Sequence, residues 1–488
     1  MIFTHLRRPA RSHLELIWAF KPENKLEDMK KRYATKALMI VFLATLTTSC
    51  NDKLDFEPRQ NIDATTALET SSDIRSAVIG AYSIMGGGAL YGTNLNVLPE
   101  LLGSDDYVRW VGTFQSYRQV ANRAMLPNNA DVTRTWVQAY SAINNVNNVL
   151  ENLDKVSDAT EKSTFEGEAL WVRGIMHFEL VRLYALPYNN ATPGTNSQLG
   201  VPISAAAVKS EEGAAVKGKR NTVEEVYTQV LADLTAAIAL LPEDNGVRAD
   251  KYTALAFRSR VYLAMGKYAE ALADANTIIA NPRFRLSATL ESVFSNKRTA
   301  EALFEIEQND QNNAGTSNDG LTTFYASLVG IGRADLRVLP AFRNLYSATD
   351  ARGKDLIYTG VGARPGNLYT GKWKTFGQNI PVIRLAEMYL TRAECNFRLG
   401  TAVGSTPLAD VNTVRTRSGA PPLAAVTLSA ILLERQLELA FEGSRIHDLK
   451  RNKASSGAFA YDSPLLVFPI PEREIRANSE LVQNPGYL

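Results

Sequence analysis

The chain has 488 residues, 53 Lys+Arg against 51 Asp+Glu, 45% apolar residues and two cysteines. Nine of the basic and four of the acidic residues precede Cys50, which leaves 44 against 47 and a net charge of −3 beyond it. That balance excludes the basic surface of a nucleic-acid binder, and two cysteines exclude a disulfide framework. The length suits two or three ordinary domains or one large helical array.

Residues 1–28 carry mixed charge and no sustained period, and Met29 stands directly before a basic cluster. We expect translation to begin at Met29, with 1–28 a mis-set start. Lys30, Lys31, Arg32 and Lys36 form a positive head. The apolar run 37–46 comes next and would be about 15 Å long as a helix, half the hydrocarbon core of a bilayer. That is too short to span and suits a secretory segment. Thr47, Thr48, Ser49 and Cys50 complete the order of a bacterial lipoprotein signal, which 29–49 resembles. Thr47 stands where an aliphatic residue is usual. The expectation is acylation of Cys50, cleavage before it, and a flexible, lipid-anchored tether over 50–66. No later apolar run approaches membrane-spanning length.

Helical periodicity dominates from there. In 68–85 apolar residues recur at Ile74, Ala77, Val78, Ala81, Tyr82 and Met85, spaced by three and four. The same spacing runs through 132–153 with Trp136, Ile143 and Val146, through 165–184 with Trp171, Ile175 and Phe178, and through 223–241. Residues 250–282 say more. Tyr262, Gly266, Tyr268, Ala271 and Pro282 fall at tetratricopeptide-like positions of a helix–turn–helix repeat of about 34 residues. Gly266 can end the first helix in the left-handed conformation, and Pro282 stops the second. Weaker relatives lie at 223–242 and 382–419. One such pair cannot bury its apolar face alone, so several should stack into a superhelix.

The expected fold class is therefore all-α, a tetratricopeptide-like helical repeat superhelix with long irregular loops and a few short strands. Strands are expected at 303–306 and 465–470. Loops are expected at 86–112, 189–220, 307–333 and 348–379, which are rich in Gly, Asn and Thr with interspersed aromatics. Irregular segments on a rigid frame are where recognition usually sits.

No catalytic constellation appears. Gly366 to Lys372 matches the glycine-rich part of a phosphate loop, but Trp373 replaces the hydroxyl residue that would ligate magnesium, and no apolar strand precedes it. His177 and His447 are far apart and each lies in a helical pattern, so a zinc site has no clustered ligands. Asp105 and Asp106 are sequence neighbours that point apart, unlike the two carboxyls that flank one bond in a glycosidase. The reading is a non-enzyme without cofactor or metal.

The motif series then carries a resemblance. It comprises Ile383 to Glu394 (IRLAEMYLTRAE), Val414 to Arg417, Glu434 to Arg451 (ERQLELAFEGSRIHDLKR), Pro469 to Ile475 and Gln483 to Tyr487. In the N-terminal half, Pro99 to Asp106, Gly167 to Arg173 and Phe178 to Tyr184 agree with it. Together these resemble the SusD/RagB family, with 67–310 as its N-terminal helical region and 311–488 as its C-terminal region. Spacings of three and four from Glu434 to Arg445 favour ion pairs on a packed helix end, with Phe441 a buried anchor and Gly443 a C-cap.

The resemblance implies an outer-membrane lipoprotein of Bacteroidetes-type bacteria. It would lie as a lid over a SusC-like TonB-dependent barrel and bind oligosaccharides or, in the RagB branch, peptides for import. Its ligand surface lies on loops outside the repeats. In this sequence that region comes after Asp106, so Tyr107, Arg109, Trp110 and Phe114 are the first candidates. Asn318, Phe324 and Tyr325 are the second set, with Trp373 as a further one. Flat aromatics suit sugar rings, and neighbouring Asn and Arg supply directional hydrogen bonds. A repeat scaffold binding only proteins is the competing class, with no exposed aromatic platform, and a secreted glycosidase is a third.

Overall fold

The computed structural model describes Met29, Lys30 and residues 68–488 apart from 193, 210–216, 316–318 and 488. Cys50, the signal-like segment, the tether and Asn318 lie outside the described residues.

The fold begins with α1 (Ser71–Gly86), started by a reciprocal cap in which Thr70 and Asp73 bond each other's backbone N–H. Next come α2 (Asn94–Leu102), β1 (Val108–Trp110), α3 (Gln115–Ala121), α4 (Ala130–Glu151) and α5 (Ala159–Tyr184). The chain continues through α6 (Val223–Leu240), α7 (Lys251–Met265), α8 (Tyr268–Ile279), β2 (Ala302–Ile306) and α9 (Leu321–Tyr325). Strands β3 (Leu336–Val338), β4 (Ile357–Thr359), β5 (Leu368–Thr370) and β6 (Ile380–Arg384) precede α10 (Leu385–Leu399), α11 (Pro407–Arg417), α12 (Leu428–Glu438) and α13 (Arg445–Arg451).

The helices stack in series. α1 packs on α4, α4 on α5, α5 on α6, α6 on α7, α7 on α8, α8 on α10, and α10 on both α11 and α12. This is the repeat superhelix that the periodicity predicts. From Phe165 on α5 is enclosed almost all round, with Trp171, Ile175, Phe178 and His177 all buried, and its buried Glu168, Arg173 and Glu179 are each ion-paired. His177 is a satisfied core histidine: Nδ1 lies 3.0 Å from the Arg173 carbonyl and Nε2 accepts from Ser204 N–H at 3.2 Å. At the α7–α8 turn Gly266 has φ +71°, and an added Cβ would lie 2.8 Å from the Asn190 Cβ. Both the left-handed backbone and the close approach require glycine there.

The strands form two antiparallel groups, β2 with β6, and a four-stranded sheet in the order β1-β3-β5-β4. The expected strand at 303–306 is β2. The one expected at 465–470 is not a strand: Pro464–Leu466 is a 3-10 turn, and the chain after it bonds the last turn of α5, with Phe468 N–H donating to the Leu183 carbonyl at 2.8 Å. Three expected loops also hold regular structure. Segment 86–112 contains α2 and β1, 307–333 contains α9, and 348–379 contains β4 and β5. Glycine and asparagine content concealed these elements because each is at most nine residues long.

The C-terminal motif is a buried ion-pair lattice. Glu438 receives Arg384 at 3.0 Å, Arg352 at 3.1 Å and Arg417 at 2.5 Å, and Glu301 receives Arg384 and Arg417 at 2.6 and 2.9 Å. Lys372, in the phosphate-loop look-alike, donates to the Glu438 and Ala440 carbonyls and to Glu442. The partners lie on separate elements, so the helical spacing of Glu434, Arg435 and Glu438 aligns them for other parts of the chain, and not for one another. Gly443 is not a C-cap, since α12 ends at Glu438 with Leu439 as its cap. It has φ +80°, and a Cβ would meet the Leu95 carbonyl at 2.5 Å.

Burial pushes the Glu387 carboxyl up, but Arg260 and Arg435 outweigh it and hold it down at about 2. Arg451 and Arg398 do the same for Glu394, also to about 2. Folded values below the unfolded 4.5 mean that the unfolded chain binds more protons in that window. These groups therefore stabilise fully above pH 4.5, and the contribution is lost as pH falls toward 2. Glu100 and Glu168, pushed up to about 7 by burial, act in the opposite sense between 4.5 and 7 and leave the acid limb intact. Urea unfolding as a function of pH should show stability dropping steeply from about pH 4.5 to about pH 2. A flat profile across that window would contradict the lattice as drawn.

Candidate functional site

A cleft of about 680 Å3 opens beside α3 and the start of α4, lined by Phe114, Tyr117, Gln119, Asn129, Asp131 and Arg134, with Asp319 at its far edge. That volume lies within the roughly 300–1,000 Å3 of sites for small organic ligands. The recess enclosed by α5, α7 and α13 has about 80 Å3, too little for a sugar ring by the same measure.

Local sequence builds the cleft. The Asn129 side chain caps α4 by accepting from Asp131 and Val132 N–H, and its amide donates to the Ser116 carbonyl at 3.0 Å and to Gln119 Oε1 at 2.7 Å. One asparagine thus ties the first turn of α4 to α3. Arg134 bridges Asp131 at 2.8 Å and Asp319 at 2.6 Å. Burial opposes its charge, but the bond and attraction from Asp319 prevail and raise its pKa. Asp131 also accepts from the Ser116 hydroxyl. The Tyr117 hydroxyl donates to Asn94 Oδ1 at 2.7 Å, which fixes its ring.

Behind the cleft stands a slab of four rings. Trp110 stacks on Tyr117 with centroids 4.7 Å apart and meets the Phe324 ring edge-on at 5.3 Å. Phe114 lies 6.3 Å from Tyr117 and 6.1 Å from Phe324. The Arg333 guanidinium sits 4.5 Å over Phe114. Three sequence candidates, Trp110, Phe114 and Phe324, therefore meet around Tyr117, which sequence reasoning missed. Its signal was present: Tyr117 comes three positions after Phe114 at the start of a helix, one face of one turn.

Within the slab only Phe114 is partly exposed, and the buried Tyr117 shares with it the lining of the cleft. Trp110 lies in β1, not in a loop, and is 8% exposed, while Phe324 is fully buried in α9. Alternation along β1 turns Trp110 inward and Arg109 outward. Tyr107 and Tyr325 belong to a second buried cluster. Tyr107 stacks 5.2 Å from Phe441 and accepts its N–H at 2.5 Å, and Tyr325 lies 6.0 Å from the same ring. Trp373 is buried elsewhere, edge-on to Phe294 at 5.2 Å, with its indole N–H donating to the Phe441 carbonyl at 3.1 Å. The structure thus separates the exposed candidates, Arg109 and Phe114, from Tyr107, Tyr325 and Trp373, which hold the frame, and from Trp110 and Phe324, which back the slab. Among the described residues no group of three or more His, Cys, Asp or Glu side chains is arranged to hold a metal ion, and no helix is long and apolar enough to cross a membrane.

Known proteins share this outline. A family model described as starch-binding and associating with the outer membrane matches residues 54–263, and the SusD family model matches 357–465. The SusD-like protein P2 of Formosa agariphila is 27% identical over 94% of this chain and 100% of its own length. The starch-binding protein SusD of Bacteroides thetaiotaomicron is 30% identical over 28% of this chain and 32% of its own. A crystal structure of a SusD superfamily protein from Bacteroides thetaiotaomicron superposes with a TM-score of 0.77 at 26% identity, covering 85% of this chain and 100% of that one.

Proposed function

This chain belongs to the SusD/RagB family, and on that premise we propose that it captures oligosaccharides in the α3–α4 cleft and delivers them to a SusC-like TonB-dependent barrel. The observation that carries this reading is the pairing of one accessible aromatic, Phe114, with a wall of amides and charges in a cleft of ligand size. A sugar presents an apolar ring face and a rim of hydroxyls. Phe114 offers the flat partner for the face, and Gln119 and Arg134, held in place by Asn129 and Asp131, offer polar partners for the rim. The site is preorganised, because the rings behind Phe114 and the Asn129 cap already fix its walls. The family's association with the outer membrane fits a lipid anchor at Cys50, supplied by the order of residues 29–50.

The test separates binding from folding. Phe114→Ala should weaken the affinity for a glycan that scores on an array by about 1–3 kcal/mol, with little change in Tm. Trp110→Ala should instead cost about 3–5 kcal/mol of stability, because its ring is buried within the slab. Titration calorimetry and thermal melts read the two. A Phe114→Ala variant that binds as tightly as the parent would overturn the cleft assignment, and a peptide library that outscores every glycan would favour the RagB-like reading.

The anchor has its own test. Cys50→Ala should abolish palmitate labelling in a bacterial host that lipidates such signals, and undiminished labelling in that variant would refute it.

A further inference from the structure

The four-stranded sheet carries a row of side chains that neutral-sugar binding does not use. Arg109 on β1 pairs directly with Arg337 on β3. The Val338–Leu368 register places Arg337 opposite Tyr369 on β5, which in turn faces Tyr358 on β4. Because side chains alternate between faces, these four share one side of the sheet, while Val108 and Trp110 turn to the other. The tyrosine end is covered, with Tyr369 fully buried beneath Gly360 and Ser327. The arginine end is open: Arg109 is exposed, and its side chain makes no ion pair or hydrogen bond among the described residues.

Like charges directly opposite across strands are destabilising, yet two guanidiniums occupy such a pair and two more flank it. Arg333 and Arg364 reach the same buried carboxylate, Asp335, at 3.2 and 3.5 Å. The Tyr369 hydroxyl donates to the Arg364 carbonyl at 3.0 Å and lies beside the Arg337 side chain. Arg333 and Arg364 thus share one carboxylate, while Arg109 and Arg337 have no ion pair among the described residues. The Nε atoms of Arg337 and Arg364 are buried without a partner. Arg333 joins this group to the cleft, since its guanidinium also lies over Phe114.

The geometry points to an anionic oligosaccharide, one bearing sulfate esters or uronic carboxylates, as the ligand class of this site. This rests on the glycan-capture reading. A chain of sugars seated on Phe114 and continuing past Arg333 meets the Arg109–Arg337 pair next. Planar guanidinium forks match carboxylate and sulfate oxygens in a way that a lysine point charge does not. Bound anions would remove the repulsion between the paired guanidiniums.

The purified chain would be titrated with a sulfated galactan oligosaccharide, an oligogalacturonide, an uncharged β-glucan of equal length and an oligothymidylate of matched charge. We expect one of the two charged glycans to bind at least about tenfold tighter than the uncharged one, and to weaken several-fold between about 50 and about 300 mM salt. Arg109→Gln combined with Arg337→Gln should remove about tenfold or more of that affinity, while leaving Tm and β-glucan binding unchanged. Three outcomes would overturn the inference: an uncharged glycan bound as well as both charged ones, a double variant that keeps the parent's affinity for the charged glycan, or an oligothymidylate bound as tightly as any glycan. Binding of uncharged glycan alone would leave glycan capture standing and sink only the charge assignment. A chain that binds no oligosaccharide would sink both.

Discussion

The structure hangs on Glu438. Three guanidiniums from three different elements converge on this fully buried carboxylate, Arg384 at the end of β6, Arg352 in the short helix Ala351–Lys354 before β4, and Arg417 at the end of α11. Burial alone would disfavour the charge, yet the arginines outweigh it and hold the carboxyl well below the usual range. Such a lattice adds little net stability over apolar packing, but losing one partner leaves an uncompensated buried charge that costs about 3–5 kcal/mol. Its effect is therefore positional. Separate elements must meet at one point with the right geometry or bear that cost.

The chain beyond Glu438 transmits this position to the cleft. It leaves α12 and turns sharply through Phe441, a non-glycine residue at φ +68°, a conformation that persists only where its surroundings enforce it. They do so here: Phe441 N–H donates to the Tyr107 hydroxyl and its carbonyl accepts from the Trp373 indole. Gly443 then presses on α2 at Leu95, and Glu100 in α2 accepts from Ser444 N–H at 2.9 Å. Tyr107 leads directly into β1, so the anchored chain sets where Trp110 and the aromatic slab stand, and Arg109 on the other face. The aromatics read from sequence as ligand platforms are mostly the pins of this frame.

The periodicity carried the fold because helix faces repeat every three to four residues over long stretches, and α1, α4 to α8 and α10 were each visible that way. α2, β1 and α9 were not, since elements of three to nine residues are too short to show a period. The site was legible by region and not by orientation. Trp110, Phe114 and Phe324 do meet, but which ring faces solvent depends on strand alternation in β1, on a cap at Asn129 and on Tyr117, and composition records none of these. Charge misled in the same way. A net of −3 beyond Cys50 describes the average surface, while the cross-strand register sets Arg109 against Arg337 and Asp335 draws Arg333 and Arg364 together.

The central claim is that a rigid, ion-paired frame presents one preformed cleft, edged by Phe114 and Arg333, to a glycan. Hydrogen–deuterium exchange of the chain with and without a bound oligosaccharide tests it most directly. A preformed cleft predicts ligand-dependent protection confined to residues 112–134, 319–325 and 333–337, with no change in the helices around Glu438. Protection centred on α7, α8 or α13, or a general slowing of exchange across the helical stack, would contradict it.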